Sequence, residues 1–262
     1  MKRIILLLLS ALCVICAMAT TPNATDKKGR KQGAWSKTYA NGQLMYEGSF
    51  KDDQPVGSFK RYFESGKLKL IQTYTKGDNS TVRIYEEDGK TISMEGAYKG
   101  KERDGEWKFY SEGKLSLVEN YTNGKRNGIA KSYAKNGTII SETPYTDDKI
   151  NGTKREFLED GKLYAEISYK NGVKDGMYRL YEGNENPVAI GLYVNGERDG
   201  NWVVYNDKGE VGETQIYKNG VLQNKKELKK KYTKSADEKE SEKGKIKEPT
   251  EEFPGSSIKG IE

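Results

Sequence analysis

Apolar and polar residues alternate along short stretches of the chain, and residues that favour tight turns separate these stretches. Side chains two residues apart lie on the same face of a β-strand, so this period predicts strands with one apolar face. The clearest runs are Leu44, Tyr46 and Phe50; Leu68, Leu70 and Tyr74; Ile92, Met94 and Tyr98; and Leu163, Ala165, Ile167 and Tyr169. The sequence therefore predicts an all-β protein built from many short strands.

Glycine recurs about every 24 residues between positions 29 and 224, and this spacing divides the region into eight units. One unit reads G-x-W/F-x-x-Y, a turn, L-x-x-x-E-x-Y and a second turn. Thr81 occupies the glycine position of the third unit. We expect the recurrent glycines to be structural residues: Gly33, Gly57, Gly105, Gly128, Gly152, Gly176 and Gly200.

Asn-Gly and Asp-Gly pairs mark turns both inside the units and between them. Such pairs readily form type I′ hairpin turns, in which both residues have positive φ. The pairs inside units begin at Asn41, Asp88, Asn136 and Asp160, and those between units begin at Asn123, Asn171, Asn195 and Asn219. Each unit is then one hairpin, and the whole is a continuous antiparallel meander of about sixteen strands, roughly 75 Å long at ~4.8 Å per strand.

Two-residue turns also fix which side chains lie opposite each other. In the first unit we expect Tyr39 opposite Leu44, Lys37 opposite Tyr46 and Trp35 over Gly48. In later units Lys131 falls opposite Glu142, and Arg155 falls opposite Glu166. The meeting of opposite charges supports this register.

A row of aromatic residues follows the Trp/Phe position by three residues and therefore lies on the opposite face, among Lys and Glu side chains. We take this row as the candidate binding surface: Tyr62, Tyr110, Tyr133, Phe157, Tyr181 and Tyr205. Repeated aromatic rings could stack on a partner or on sugar rings. The simpler interpretation is that aromatic residues are good strand formers on a half-exposed sheet.

The unit consensus resembles MORN repeats, and the spacing is similar to that of the bacterial MORN-variant repeats in proteins labelled YwqK-family antitoxins. The resemblance covers residues 29–224; it weakens where Thr81 replaces glycine and where Asp147-Asp148 replaces Asn-Gly. It implies a single-layer, elongated antiparallel β-meander of tandem MORN-type hairpins. It also implies an interaction scaffold that binds proteins or membrane lipids.

Composition argues against enzyme chemistry and against nucleic-acid binding. The chain has no histidine, which excludes His-based triads and most mixed His/Cys zinc sites. Glu47, Glu95, Glu142 and Glu166 lie one or two units apart, and a spacing of one unit already separates two of them by about 10 Å, too far for one metal ion, so cross-strand ion pairs explain them better. The 45 basic and 39 acidic residues are interspersed, with a net charge of +6, unlike a basic nucleic-acid footprint. We expect no catalytic residues, no metal and no cofactor.

The N-terminus has the pattern of a secretory signal peptide. Met1-Lys2-Arg3 precedes an apolar run and an Ala17-Met18-Ala19 cleavage signal, which places the mature N-terminus after residue 19. A lipoprotein signal at Cys16 is the second interpretation, disfavoured because bulky Ile15 precedes that cysteine. Residues 20–28 form a linker, and residues 225–262 a charged tail expected to be disordered.

These observations predict an exported, non-enzymatic scaffold that binds a protein partner through its sheet, in the periplasm, in the cell envelope or outside the cell. Two alternatives stay open, an antitoxin or immunity protein and a module that binds envelope glycan such as peptidoglycan. Contact with a membrane surface is also possible for the repeats. The sequence leaves the partner's identity and the oligomeric state open.

Overall fold

The computed structural model describes residues 22–228, whose strands form one open antiparallel sheet; residues 225–228, the start of the tail expected to be disordered, form a single helical turn. The expected signal peptide and the tail beyond residue 228 lie outside the described residues. The strands are β1 (Ala24–Thr25), β2 (Lys31–Thr38), β3 (Leu44–Lys51), β4 (Gln54–Tyr62), β5 (Leu68–Tyr74), β6 (Asn79–Tyr85), β7 (Ile92–Lys99), β8 (Glu102–Ser111), β9 (Lys114–Thr122), β10 (Lys125–Arg126), β11 (Gly128–Tyr133), β12 (Ile139–Thr146), β13 (Lys149–Ile150), β14 (Gly152–Phe157), β15 (Leu163–Lys170), β16 (Val173–Leu180), β17 (Ala189–Val194), β18 (Glu197–Tyr205), β19 (Val211–Lys218) and β20 (Val221–Leu222).

Each strand pairs with the strand that follows it in the chain, so the predicted single-layer meander is confirmed. Strands β10 and β11 both pair with β9 and are two parts of one strand interrupted at Asn127. Strands β13 and β14 flank Asn151 in the same way and both pair with β12. Counting each interrupted strand once, and leaving out the two-residue strands at the ends, sixteen strands remain in the described part, as expected.

All the recurrent glycines except Gly33 lie in β-bulges where one unit meets the next. Between the pairs Glu47–Lys60 and Ser49–Val56, strand β4 has two more residues than β3, and Gly57 lies in this insertion. All seven recurrent glycines have positive φ, between 65° and 118°, a region that side chains with a Cβ rarely adopt. Thr81 instead pairs regularly with Thr73, and β5 and β6 run without a bulge. Loss of the glycine thus removes the bulge but leaves the strand pairing intact.

The turns between units are of the predicted kind. Asn171 and Gly172 both have positive φ, 52° and 88°. The two aspartates that replace Asn-Gly keep this geometry, with φ of 48° at Asp147 and 66° at Asp148, because aspartate tolerates the left-handed region better than most residues. The substitution weakens the sequence pattern without changing the turn.

The prediction was wrong for the turns inside the units. Of Asn41 and Gly42 only the glycine has positive φ, and the Gly42 amide donates to the Tyr39 carbonyl, as in a type I turn closed by a glycine bulge. The extra residue shifts the register next to the turn, so Leu44 lies opposite Thr38 and not opposite Tyr39. The same correction holds for the turns at Asp88-Gly89, Asn136-Gly137 and Asp160-Gly161. Farther from the turn, the predicted pairs Lys37–Tyr46 and Trp35–Gly48 are confirmed.

One side of the sheet, here called the tryptophan face, carries Trp35, Trp107 and Trp202. Its buried residues form two clusters, one around Trp107 on β6–β9 and one around Trp202 on β15–β18. Both indole rings are almost fully buried, at 0% and 1% exposure. Between the clusters the same side is polar, with a Lys154–Glu156 ion pair of 2.7 Å whose glutamate is 3% exposed.

A single-layer sheet buries these large rings by placing a glycine beneath each ring and a cation above it. A Cβ added at Gly96 would lie 2.6 Å from Cγ of Trp107, so only glycine leaves room for the ring. The Arg103 guanidinium lies 4.4 Å from the centre of the same ring, and Tyr98 packs edge-on at 5.0 Å. Gly191 and Arg198 repeat this arrangement around Trp202.

Both edges of the sheet are capped by an asparagine side chain. At the first edge, Oδ1 of Asn23 accepts the amide of Ser36 at 2.8 Å, and β1 pairs with the start of β2. Part of the predicted linker is therefore paired. At the last edge, Oδ1 of Asn224 accepts the amide of Ile216 at 3.0 Å, while its Nδ2 donates to the carbonyl of Thr214 at 2.8 Å. The caps occupy backbone groups that could otherwise pair with another strand.

Candidate binding surface

The side opposite the tryptophan face carries one row of directly paired residues that crosses the sheet from β2 to β19. We call this row the charge ladder and this side the ladder face. In order across the strands, the row consists of Ser36, Glu47, Lys60, Ile71, Arg83, Glu95, Lys108, Val118, Lys131, Glu142, Arg155, Glu166, Arg179, Ile190, Val203 and Thr214.

Most charged neighbours in the ladder form ion pairs. The predicted pairs are confirmed, with 3.3 Å between Lys131 Nζ and Glu142 Oε1 and 3.1 Å between Arg155 Nε and Glu166 Oε1. Glu47 and Glu95 pair in the same way with Lys60 and Arg83. Pairs this exposed contribute about 0.2–1 kcal/mol each, so they fix register more than they stabilise the sheet.

The six aromatic residues of the candidate row lie beside the ladder, as predicted, and all six are half-buried. Each follows its ladder residue by two positions along the strand. Three of the hydroxyls donate to a ladder carboxylate on the neighbouring strand, an interaction that sequence reasoning missed. These bonds are Tyr62 to Glu47 (2.7 Å), Tyr110 to Glu95 (2.8 Å) and Tyr181 to Glu166 (3.1 Å).

These bonds change the acidity of both partners. Burial, together with the bond to the carboxylate, raises the pKa of Tyr62 and of Tyr110 to about 12. The same bonds, with the neighbouring cations, hold the pKa of Glu47 and of Glu95 below the ordinary value. The tyrosine and the glutamate therefore remain neutral and ionised, respectively, throughout the physiological range.

Tyr85 belongs to the same row, although the sequence analysis did not include it. It lies two residues after Arg83 and pairs with Ile92 across a bulge, as Tyr62 pairs with Leu68. In the six units of the candidate row the aromatic residue follows the glycine by five positions, and the same count from Thr81 leads to Glu86. Because the bulge is missing at Thr81, the aromatic residue of this unit follows that position by four residues instead of five. Spacing counted from the buried Val82, which takes the Trp/Phe position, would have found Tyr85.

Exposed apolar side chains gather on the ladder face in the second half of the sheet. Ile129, Met177 and Ile216 each lie two residues from a ladder position, and Val194 lies four residues from one. Their exposed fractions are 47%, 37%, 41% and 40%, in that order. On the tryptophan face, by contrast, the largest rings are buried.

The ladder face also has an open depression of about 510 Å³ beside the third unit. Small side chains line its base, among them Thr73, Thr81 and Ala97, and Ile71 and Arg83 stand at its border with the ladder. It lies where β5 and β6 pair without a bulge.

Within residues 22–228, no group of three or more acidic or cysteine side chains is placed to hold a metal ion. A search of the same residues for a helix with the length and apolar character to span a bilayer found none.

An open sheet of tandem hairpins with two chemically different faces defines a β-repeat protein. Four segments match the model of the MORN repeat variant: residues 31–52, 55–76, 126–147 and 150–171. These four segments are therefore similar to MORN-variant repeats, a non-enzymatic repeat type whose members generally bind proteins or membranes. No curated protein matches the chain. The YwqK antitoxin assignment stays a prediction.

Proposed function

We propose that this protein is an exported, non-enzymatic scaffold that binds a partner protein through its ladder face. The observation that carries the proposal is the gathering of exposed apolar side chains and half-exposed tyrosines on this face. Met177 and Val194 lie on the paired strands β16 and β17, and exposed apolar patches rimmed by polar groups mark interaction sites in soluble proteins. The tryptophan face does not offer this combination, because its indole rings are used in packing.

The size of the ladder face suits a protein partner better than a small molecule. Sixteen strands at ~4.8 Å, each about 26 Å long, give a surface on the order of 2,000 Å². A standard protein interface takes about 800 Å² from each partner. The face is thus large enough for one extended partner or for several units of a repetitive one.

Export rests on the N-terminal sequence, where a positive segment, a short apolar run and Ala17-Met18-Ala19 precede the repeats. It would place the ladder face in the periplasm, in the envelope or outside the cell. Western blotting of fractionated cells, with the mature N-terminus determined by sequencing, tests this part. Full-length protein retained in the cytoplasm would contradict it.

Affinity capture tests the binding surface. We would compare the wild type with a variant carrying Ile129→Lys, Met177→Lys and Ile216→Lys, which leaves the buried clusters intact. Lys37→Glu with Arg61→Glu, two exposed positions on the tryptophan face, is the control. We expect a protein captured by the wild type and by the control and lost from the lysine variant. Equal capture by all three would refute the assignment of the ladder face.

A glycan ligand is the second candidate, because the aromatic rings of the row form a regular half-exposed series. Tyr133 and Tyr205 face Val118 and Ile190 instead of a glutamate, so their hydroxyls lack the carboxylate acceptor of the other units. Sedimentation with purified peptidoglycan, and its loss on Tyr133→Ser with Tyr205→Ser, would favour this function over a protein partner.

A further inference from the structure

The charge ladder contains two gaps at which an apolar residue stands between two cations. Ile71 lies directly opposite Lys60 on one side and Arg83 on the other. Val118 lies between Lys108 and Lys131 in the same way. The other positions between two cations, at Glu95, Glu142 and Glu166, hold a carboxylate.

Glu166 shows the contacts of a carboxylate that stands between two cations of the ladder. One of its carboxylate oxygens lies 3.1 Å from Arg155 and the other 3.5 Å from Arg179, and the second also accepts a hydrogen bond from the hydroxyl of Tyr181 at 3.1 Å. A carboxylate at this position is thus held by two cations and one tyrosine. Charge-assisted bonds of this kind are stronger than neutral ones.

The surroundings of the two gaps repeat this arrangement without the acid. Tyr85 follows Arg83 by two residues, and Tyr133 follows Lys131 by two residues, as Tyr181 follows Arg179. The four flanking cations are accessible, with side-chain exposures of 43%, 50%, 41% and 39% for Lys60, Arg83, Lys108 and Lys131. Across the whole ladder, six cations face four carboxylates, so two positive charges are in excess.

There is space above the first gap. The depression of about 510 Å³ borders Ile71 and Arg83, and its base is formed by small side chains. Glu95 and Glu106 also line it, but each already lies in an ion pair, with Arg83 and Lys108 respectively. A side chain from outside can therefore reach Arg83, one of the two cations beside Ile71, from this depression.

We propose that the two gaps bind carboxylates of an acidic segment in the protein partner. This inference rests on the proposed function and specifies the partner's chemistry. Ile71 and Val118 lie four strands apart, about 19 Å. An extended segment rises ~3.3 Å per residue, so two acidic residues about six positions apart match both gaps. The partner's carboxylates complete the alternation of charge that the chain's own residues leave open.

A peptide titration followed by amide NMR tests the inference. The probe is a nonapeptide of glycine and serine with glutamate at its second and eighth positions, and the control peptide has glutamine there. At low salt we expect the glutamate peptide to shift the amide signals of Ile71, Val118 and their neighbours. The glutamine peptide is expected to bind at least tenfold more weakly. No shift near either gap, or equal shifts with both peptides, would overturn the proposal.

Two pairs of substitutions distinguish peptide binding at the two gaps from attraction by the net charge of the ladder face. Ile71→Glu with Val118→Glu supplies the missing acids in the chain itself and is expected to weaken binding of the glutamate peptide at least tenfold. Ile190→Glu with Thr214→Glu adds the same charge to the same ladder where two cations do not flank the position, and should change binding less than threefold. Equal weakening by both pairs would show that only net charge matters and would reject the gaps.

A second variant keeps the test valid if the glutamate variant does not fold. Arg83→Gln with Lys131→Gln removes one cation from each gap at solvent-accessible positions, and binding should again fall at least tenfold. Unchanged binding would contradict the proposal. If the peptide fails while partner capture still depends on Ile129, Met177 and Ile216, this inference falls and the proposed function stands.

Discussion

Replacing Gly96 with alanine should displace Trp107 from its place on the sheet. The added Cβ would lie 2.6 Å from Cγ of the ring, where ordinary contacts begin at 3.4 Å, so the ring must move by roughly 1 Å. Overpacking of this kind costs about 1–3 kcal/mol. The move also disturbs the edge-on contact with Tyr98 and the stacking of Arg103, each worth about 1 kcal/mol. We expect a total loss of about 3 kcal/mol.

Urea unfolding followed by circular dichroism measures this loss. With a typical slope of about 2 kcal/mol per molar urea, the midpoint should fall by about 1.5 M. Gly212→Ala is the matched control, because Gly212 also lacks a positive φ and its added Cβ would meet only ordinary contacts, the nearest at 3.4 Å. This control should change stability by less than about 0.5 kcal/mol.

A double-mutant cycle isolates the clash with the ring. Trp107→Ala alone should cost about 3–5 kcal/mol, because the ring is fully buried. In that background the alanine at Gly96 has no ring to meet, and its effect should fall below about 0.5 kcal/mol. If Gly96→Ala costs the same with and without Trp107, or no more than Gly212→Ala, the account of how the single layer buries its tryptophans is wrong.

Three further changes test other parts of the structure. Tyr62→Phe removes the hydroxyl that lowers the pKa of Glu47; it should cost about 1 kcal/mol at pH 7. The lowered pKa stabilises the fold fully above the unfolded value of about 4.3, and this contribution is lost as the pH falls through the folded pKa, so the difference should shrink progressively in chemical unfolding below pH 4. Lys154→Met leaves the buried carboxylate of Glu156 without its partner and should cost about 3 kcal/mol, measured by urea unfolding; a neutral effect would contradict the ion pair. Asn224→Ala uncaps the last edge and should cause concentration-dependent association in sedimentation experiments, and a strictly monomeric variant would refute the capping role.

The architecture could be predicted from the sequence because the repeat consists of residues with strong local preferences for strands or for turns. Period-two alternation indicates strands whatever their neighbours are, and Asn-Gly pairs such as Asn171-Gly172 indicate turns. The opposite charges of Lys131 and Glu142 fixed the register independently of the turns. Eight units also repeated the same information, so local irregularities such as Thr81 could not obscure the topology.

The details that sequence reasoning missed depend on distinctions that the sequence does not encode locally. Asn-Gly fits both a type I′ turn and a type I turn with a glycine bulge, so Asn41-Gly42 gave the wrong register for Leu44. The spacing counted from Thr81 missed Tyr85 because the bulge present where the other units meet is absent there, and a bulge depends on the backbone geometry between strands. The bonds from tyrosine to glutamate depend on side chains from two different hairpins, which only the assembled sheet brings together.

The asparagine caps separate the ends of the molecule from its middle. A whole hairpin could be inserted or deleted by recombination without altering Asn23 or Asn224, and each such event would change the length of the protein by about 10 Å. A hairpin inserted or deleted between Ile71 and Val118 would change the distance between the two proposed carboxylate sites by the same step. The two capped ends would stay the same while the number of repeats, and with it the length of the sheet, changed by one hairpin at a time.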